Sequence, residues 1–172
     1  MSLRIKLGLL FLSFLSLATL SVGIMAWMIG DQQADGLVIN LAGRQRMLIQ
    51  LITREALQAA LEDDRNTHIQ TLHDSAGRFE QTLHALLEGG PAPYRPGEEV
   101  TLPAAEKASI RRELRAIEAS WLVFADHLVV VETAEVGSPA LRAAIDAVER
   151  LSPDLTERTD RVVRLYEAES TR

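Results

Sequence analysis

Apolar residues follow two regimes along this chain. Residues 7–30, LGLLFLSFLSLATLSVGIMAWMIG, carry no charge. As a helix, at about 1.5 Å per residue, such a run reaches across the roughly 30 Å of a bilayer core. Beyond it the apolar positions recur every three or four residues, the period of one helix face. Four amphipathic helical segments are expected. The first runs from about Asp31 to Glu62, interrupted only by Gly36 and Gly43, and the second from about Arg65 to Leu87 with a stripe at Ile69, Leu72, Ala76, Phe79, Leu83 and Leu86. The segment EGGPAPYRPGEEVTLP then stops the helix with two glycines, and its prolines predict irregular chain up to Pro103. A third helix starts near Ala104, and its Ile110, Leu114, Ile117, Trp121, Phe124, Leu128 and Val131 alternate in steps of four and three, the seam of a bundle. Ser138 and Pro139 read as an N-cap and first helical residue. The fourth helix carries Leu141, Ile145, Val148 and Leu151, breaks or kinks at Ser152-Pro153, and resumes through Leu155, Val162 and Leu165. No stretch alternates with period two over a useful length, so no sheet is expected. The fold class is all-α: an N-terminal transmembrane helix followed by an antiparallel up-down four-helix bundle.

Charge sets the topology. Arg4 and Lys6 precede the apolar run and no acid lies before Asp31, so residues 1–6 are expected in the cytoplasm, 7–30 in the membrane and the domain 31–172 in the periplasm. A bacterial inner membrane and a single-pass protein follow. A cleaved signal peptide would show a shorter apolar region, about 7–15 residues, and a small-x-small site, which GIMAWMIG lacks. Of 18 basic and 24 acidic residues, two basics lie before the run, so the remainder holds 16 against 24, a net of −8. Such a domain repels nucleic acid in bulk, and any anion it binds is held by a local group of arginines. The absence of cysteine removes disulfides, thiolate metal sites and cysteine nucleophiles.

The stretch GLVINLAGRQRMLIQLITREAL, beginning at Gly36, sets small residues Ala42 and Gly43 beside Arg44 and Arg46. At 100° per residue, Ile39, Gly43, Arg46, Gln50 and Thr53 share one helix face. Small residues allow a second backbone to come close. If that backbone is the same helix of a second copy, two Arg46 side chains meet across a two-fold axis. A planar anion between them relieves their repulsion and accepts paired N–H bonds; nitrate and nitrite have the right shape and charge. The plainer reading is a solvated or ion-paired arginine near a membrane.

INLAGRQRML, Ile39–Leu48, resembles the sensor-domain motif of the nitrate/nitrite-sensing histidine kinases (NarX-like) and of the N-terminal domain of the type IV pili methyl-accepting chemotaxis transducers (PilJ-type). In those families it reads approximately I-N-x-A/S-G-x-x-R-M, and Ile39, Asn40, Ala42, Gly43, Arg46 and Met47 match. The resemblance extends to the helix ending ALLEGG, the Pro-rich loop, the Trp-bearing seam and VVRLYEAES. It implies a homodimeric, membrane-embedded sensory domain in signal transduction or chemotaxis, with no cofactor. It also implies an anion site at the dimer interface formed by Arg46, Gly43, Met47 and Asn40, with Arg44 and Gln50 as auxiliaries. Ile49 and Leu51 stand where the families often carry a serine and a further arginine, and Arg44-Gln45 resembles the pilus-transducer version more than the kinases.

Other chemistry is sparse. His68, His73, His84 and His127 have no metal-ligand spacing; His73 and His84 sit about three helical turns apart. EDDR at 62–65 reads as a polar helix junction, and GGPAPYRPGEE lacks the Lys-Ser/Thr of a phosphate loop. With no nucleophile-base pattern and no kinase core, the chain is not expected to be an enzyme. The alternative is a non-catalytic scaffold that binds a protein partner through Gly43 and Arg46. Receptors of this type re-enter the membrane after their fourth helix. The exposed-looking end RVVRLYEAESTR leaves open a longer receptor, a short protein signalling through a partner protein, or no signalling.

Overall fold

The computed structural model describes residues 3–61 and 64–170, and their side chains except those of 3–7, 9 and 24–35. The elements are α1 (Leu3–Ala59), α2 (Arg65–Glu88), β1 (Gly90–Arg95), β2 (Glu98–Leu102), α3 (Ala108–Thr133) and α4 (Pro139–Ser170). The chain divides into two compact units, Met1–Gly36 and Leu37–Arg172.

The first unit is helical from Leu3, and residues 10–23 are exposed on every side, including Phe11 at 68 % and Phe14 at 69 %. Its hydroxyls turn inward to its own backbone: Ser13 donates to Leu10 O, Ser16 to Ser13 O, and Thr19 to Leu15 O and Ser16 O. Among the described residues no helix is long and apolar enough to cross a membrane. The membrane helix expected over 7–30 is therefore not found. The side chains of 24–30 lie outside the described residues.

The second unit has one core, to which α1 from Val38 onward, α2, the β-hairpin, α3 and α4 all contribute. Every member of the α3 seam read from the sequence is buried: Ile110, Leu114, Ile117, Trp121, Phe124, Leu128 and Val131. Trp121 lies between Phe79 and Phe124, with ring centroids at 4.2 and 5.7 Å. Burying such side chains contributes on the order of 1.5–3 kcal/mol each, so the seam is what fixes α3 in place. Polar contacts then set which ends meet. Gln45 of α1 donates to the Phe79 carbonyl of α2 at 3.3 Å, and His68 of α2 meets Glu55 of α1 at 2.6 Å. Arg115 reaches Glu88 across α2 and α3 at 3.0 Å; Lys107 reaches Glu169 across α3 and α4 at 2.7 Å. Thr53 of α1 donates to Ser152 of α4 at 2.9 Å.

Two expectations are corrected. The Pro-rich segment is not irregular: β1 and β2 pair antiparallel, with Arg95 opposite Glu98 around Pro96-Gly97. Pro fits the first corner of such a turn, and Gly97, at φ +77°, the second. Prolines at 91 and 93 are tolerated because a two-stranded ribbon is all edge, so their missing N–H groups cost no ladder bond. The fold is thus mainly helical but not all-α. Gly89, at φ +80°, sends the chain into the hairpin; a Cβ there would lie 3.1 Å from the Ala104 nitrogen. The second correction concerns the break allowed for at Ser152-Pro153: α4 runs unbroken through Pro153. Pro153 itself is exposed, whereas Val148 and Leu155 on either side are buried, so core packing holds the helix across it.

The caps follow the sequence more closely. Ser138 Oγ accepts from Leu141 N at 3.1 Å at the start of α4. Arg65 donates to Ala59 O at 2.8 Å and to Val131 O and Ala134 O at 2.7 and 2.9 Å, which satisfies terminal carbonyls of α1 and α3. Glu62 and Asp63 of the expected polar junction lie outside the described residues.

Candidate functional site

From residue 36 to 56, α1 has two opposed stripes. Val38, Leu41, Ala42, Gln45, Ile49, Ile52 and Ala56 are buried in the core. Gly36, Asn40, Met47, Gln50 and Arg54 are exposed and Gly43 is half-buried. Both stripes advance in threes and fours, so one helix serves the core with one face and leaves the other free.

This splits the small-residue pair. Ala42 is packed inward, 1 % exposed. Gly43 faces outward, and a Cβ added there meets nothing within 4 Å. The close approach expected at Gly43 is thus not made to any described part of its own protomer. Met47 is 61 % exposed on the same outward face.

The two arginines diverge, because residues two apart on a helix point about 200° apart. Arg46 turns toward α4 and meets Asp160 at 3.3 Å, with side chains 55 % and 34 % exposed. Arg44 turns toward the hairpin, donates to the Tyr94 carbonyl, and sets its guanidinium 5.3 Å from the Tyr94 ring centroid. Asn40, Gly43, Met47 and Gln50 therefore share the open face, with Arg46 at one margin, while Arg44 is drawn away from Arg46.

Sequence reasoning missed Asp160, Tyr94, Arg78 and Arg95. The carboxylate that neutralises Arg46, Asp160, lies on another helix. No local motif marks it. Arg95 had one signal, the Pro-Gly dipeptide that follows it. Trp121 is core, as read. Two of the four histidines meet carboxylates of neighbouring helices: His68 with Glu55, and His73 with Glu132 at 3.5 Å. Among the described residues no three His, Asp or Glu side chains gather in a metal-holding group.

Comparison with known proteins gives no match among curated proteins and none among solved structures. A family profile, Type IV pili methyl-accepting chemotaxis transducer N-term (PilJ), matches residues 27–151. The matched span takes in the motif helix, α2, the hairpin, α3 and the first part of α4. Covering well over half of the chain, the match establishes that this protein belongs to the PilJ family of chemotaxis-transducer N-terminal domains and carries a sensory, signalling domain.

Proposed function

We propose that the chain is a periplasmic sensory module, anchored in the bacterial inner membrane by residues 7–30, that pairs with a second copy along α1 and binds nitrate or nitrite between two Arg46 side chains. The observation that carries this reading is the open stripe of Gly36, Asn40, Gly43, Met47, Gln50 and Arg54, a four-three seam facing away from its own core. Gly43 leaves room there for a second backbone, and Arg46 sits at its margin more than half exposed. The resemblance to the nitrate sensors supports the ligand, since in them the motif arginine of each subunit binds the anion. The uncharged run with its back-bonded Ser13, Ser16 and Thr19 suits hydrocarbon, where a hydroxyl has no water to bond. The cross-helix contacts, Gln45 with Phe79 and Lys107 with Glu169 among them, support an antiparallel up-down bundle.

Magnitudes favour anion capture over the resting pair. An exposed ion pair such as Arg46 with Asp160 contributes about 0.2–1 kcal/mol. Charge-assisted bonds in a site shielded by a second subunit contribute about 1.5–3 kcal/mol each. An oxyanion between two guanidiniums therefore displaces Asp160. Calorimetric titration of the detergent-solubilised chain with nitrate, at fixed ionic strength against chloride, tests this. Saturable binding is expected in the wild type and a loss of at least tenfold in Arg46→Ala, whose stability changes by no more than about 1 kcal/mol. Absence of nitrate binding in the wild type rejects the reading.

A scaffold role is the second reading. It is favoured by the exposed Leu122, Val123 and Val129 on α3, which the anion site does not use. Crosslinking to a protein partner through that face, with no nitrate response, is its expected signature.

A further inference from the structure

A second group of arginines lies inside one protomer. Between α1, α2 and the hairpin opens a pocket of about 290 Å³, walled by Arg44, Arg78, Arg95, Tyr94, Met47 and Leu48. No carboxylate lines it. Among the described residues no carboxylate lies within ion-pair distance of Arg44, Arg78 or Arg95. Two of the three stand near the Tyr94 ring: the Arg44 and Arg95 guanidiniums are 5.3 and 5.0 Å from its centroid. Beyond Arg78 and Arg95 a shallower hollow carries Glu98 and Glu99, and Glu99 accepts a hydrogen bond from Gln81 at 3.0 Å. Arg78 and Arg95 are exposed and border both hollows, with the acids confined to the shallower one.

Three arginines border the pocket and no carboxylate lines it, so an anion seated there would meet cations alone. The space is larger than an inorganic oxyanion needs and falls at the lower end of small-molecule pockets, which are mainly apolar with a few convergent polar groups. We infer that this pocket binds a small organic carboxylate, its charged end between Arg78 and Arg95 and its apolar body against Tyr94, Met47 and Leu48. Arg44 acts as a positioning residue, because its hydrogen bond to the Tyr94 carbonyl ties α1 to the hairpin and holds the ring in place. The site is separate from Arg46, which faces α4.

The test is titration of the full chain in detergent with sodium benzoate, sodium hexanoate and sodium formate, with nitrate as the inorganic comparator at constant ionic strength. The variants are Arg78→Gln with Arg95→Gln, and Arg46→Ala. Arg78 and Arg95 are exposed, so the double variant should keep its helical circular dichroism and melting profile. Benzoate or hexanoate is expected to bind saturably and at least tenfold more tightly than formate, to weaken at least tenfold in the double variant, and to be unaffected by Arg46→Ala. Nitrate binding that disappears with Arg46 while benzoate binding persists separates the two sites. The inference is overturned if no organic carboxylate binds, if binding ignores Arg78 and Arg95, or if nitrate occupies this pocket as tightly as benzoate.

Discussion

Glu55 is 3 % exposed, yet it carries a charge deep in α1. Burial opposes its ionisation. Against that, His68 Nδ1 stands 2.6 Å from one carboxylate oxygen and Arg54 Nε donates to the other at 3.0 Å. These bonds, with the Arg54 charge, leave the carboxyl below its ordinary value. A carboxyl that ionises more readily folded than unfolded stabilises the native state above the ordinary carboxylate range, and that stabilisation fades as pH falls through the lowered value. Removing His68 takes away the partner of one of the two carboxylate oxygens. His68→Ala is expected to cost about 1–3 kcal/mol near neutral pH and to move the acid limb of a urea-unfolding profile to higher pH. An unshifted acid limb would refute the role given to this pair. None of it was readable beforehand. The sequence does not say which turn of α1 faces His68.

Helix α4 crosses Pro153 without a break. A proline in a helix interior removes one backbone bond and crowds the preceding turn, at about 3 kcal/mol. Leu155 and Val162, both buried, anchor the helix beyond it. Pro153→Ala is accordingly expected to stabilise the protein by about 1–3 kcal/mol, read as a rise in melting temperature; a fall would mean that the ring shapes α4 usefully. Gly43 supplies the complementary case. Within the protomer a Cβ there meets open space, so Gly43→Ala should stabilise α1 by about 1 kcal/mol through helix propensity alone. In the proposed dimer the same methyl separates two backbones. Sedimentation should then show weaker self-association alongside higher protomer stability. Unaltered self-association would show that the pairing surface lies elsewhere. The α3 seam was fully legible because its period is carried by every third and fourth residue. The hairpin was not, because three prolines look like disorder until a turn brings the two edges together.

For the molecule as a whole, the proposed ligand and the proposed dimer are one equilibrium. An anion bound by two Arg46 side chains binds the pair and not the single chain, so it must tighten association by the same factor that association tightens anion binding. Saturating nitrate is expected to lower the dimer dissociation constant at least tenfold in sedimentation equilibrium, with no change in Arg46→Ala. Equal association with and without nitrate would detach the ligand from the interface. The domain's net −8 makes this coupling local, since the overall field repels the anion that the arginines hold. The motif, the four helices and most of the core faces could be read from the chain, since periodicity and capping depend on neighbours a few residues away. The partners of the arginines could not. Asp160 finds Arg46 from 114 residues away, and the Tyr94 carbonyl finds Arg44 from 50. Those meetings depend on how far each helix is rotated and where the hairpin folds back, and such rotations are set by the packing of the whole core rather than by any local run of residues.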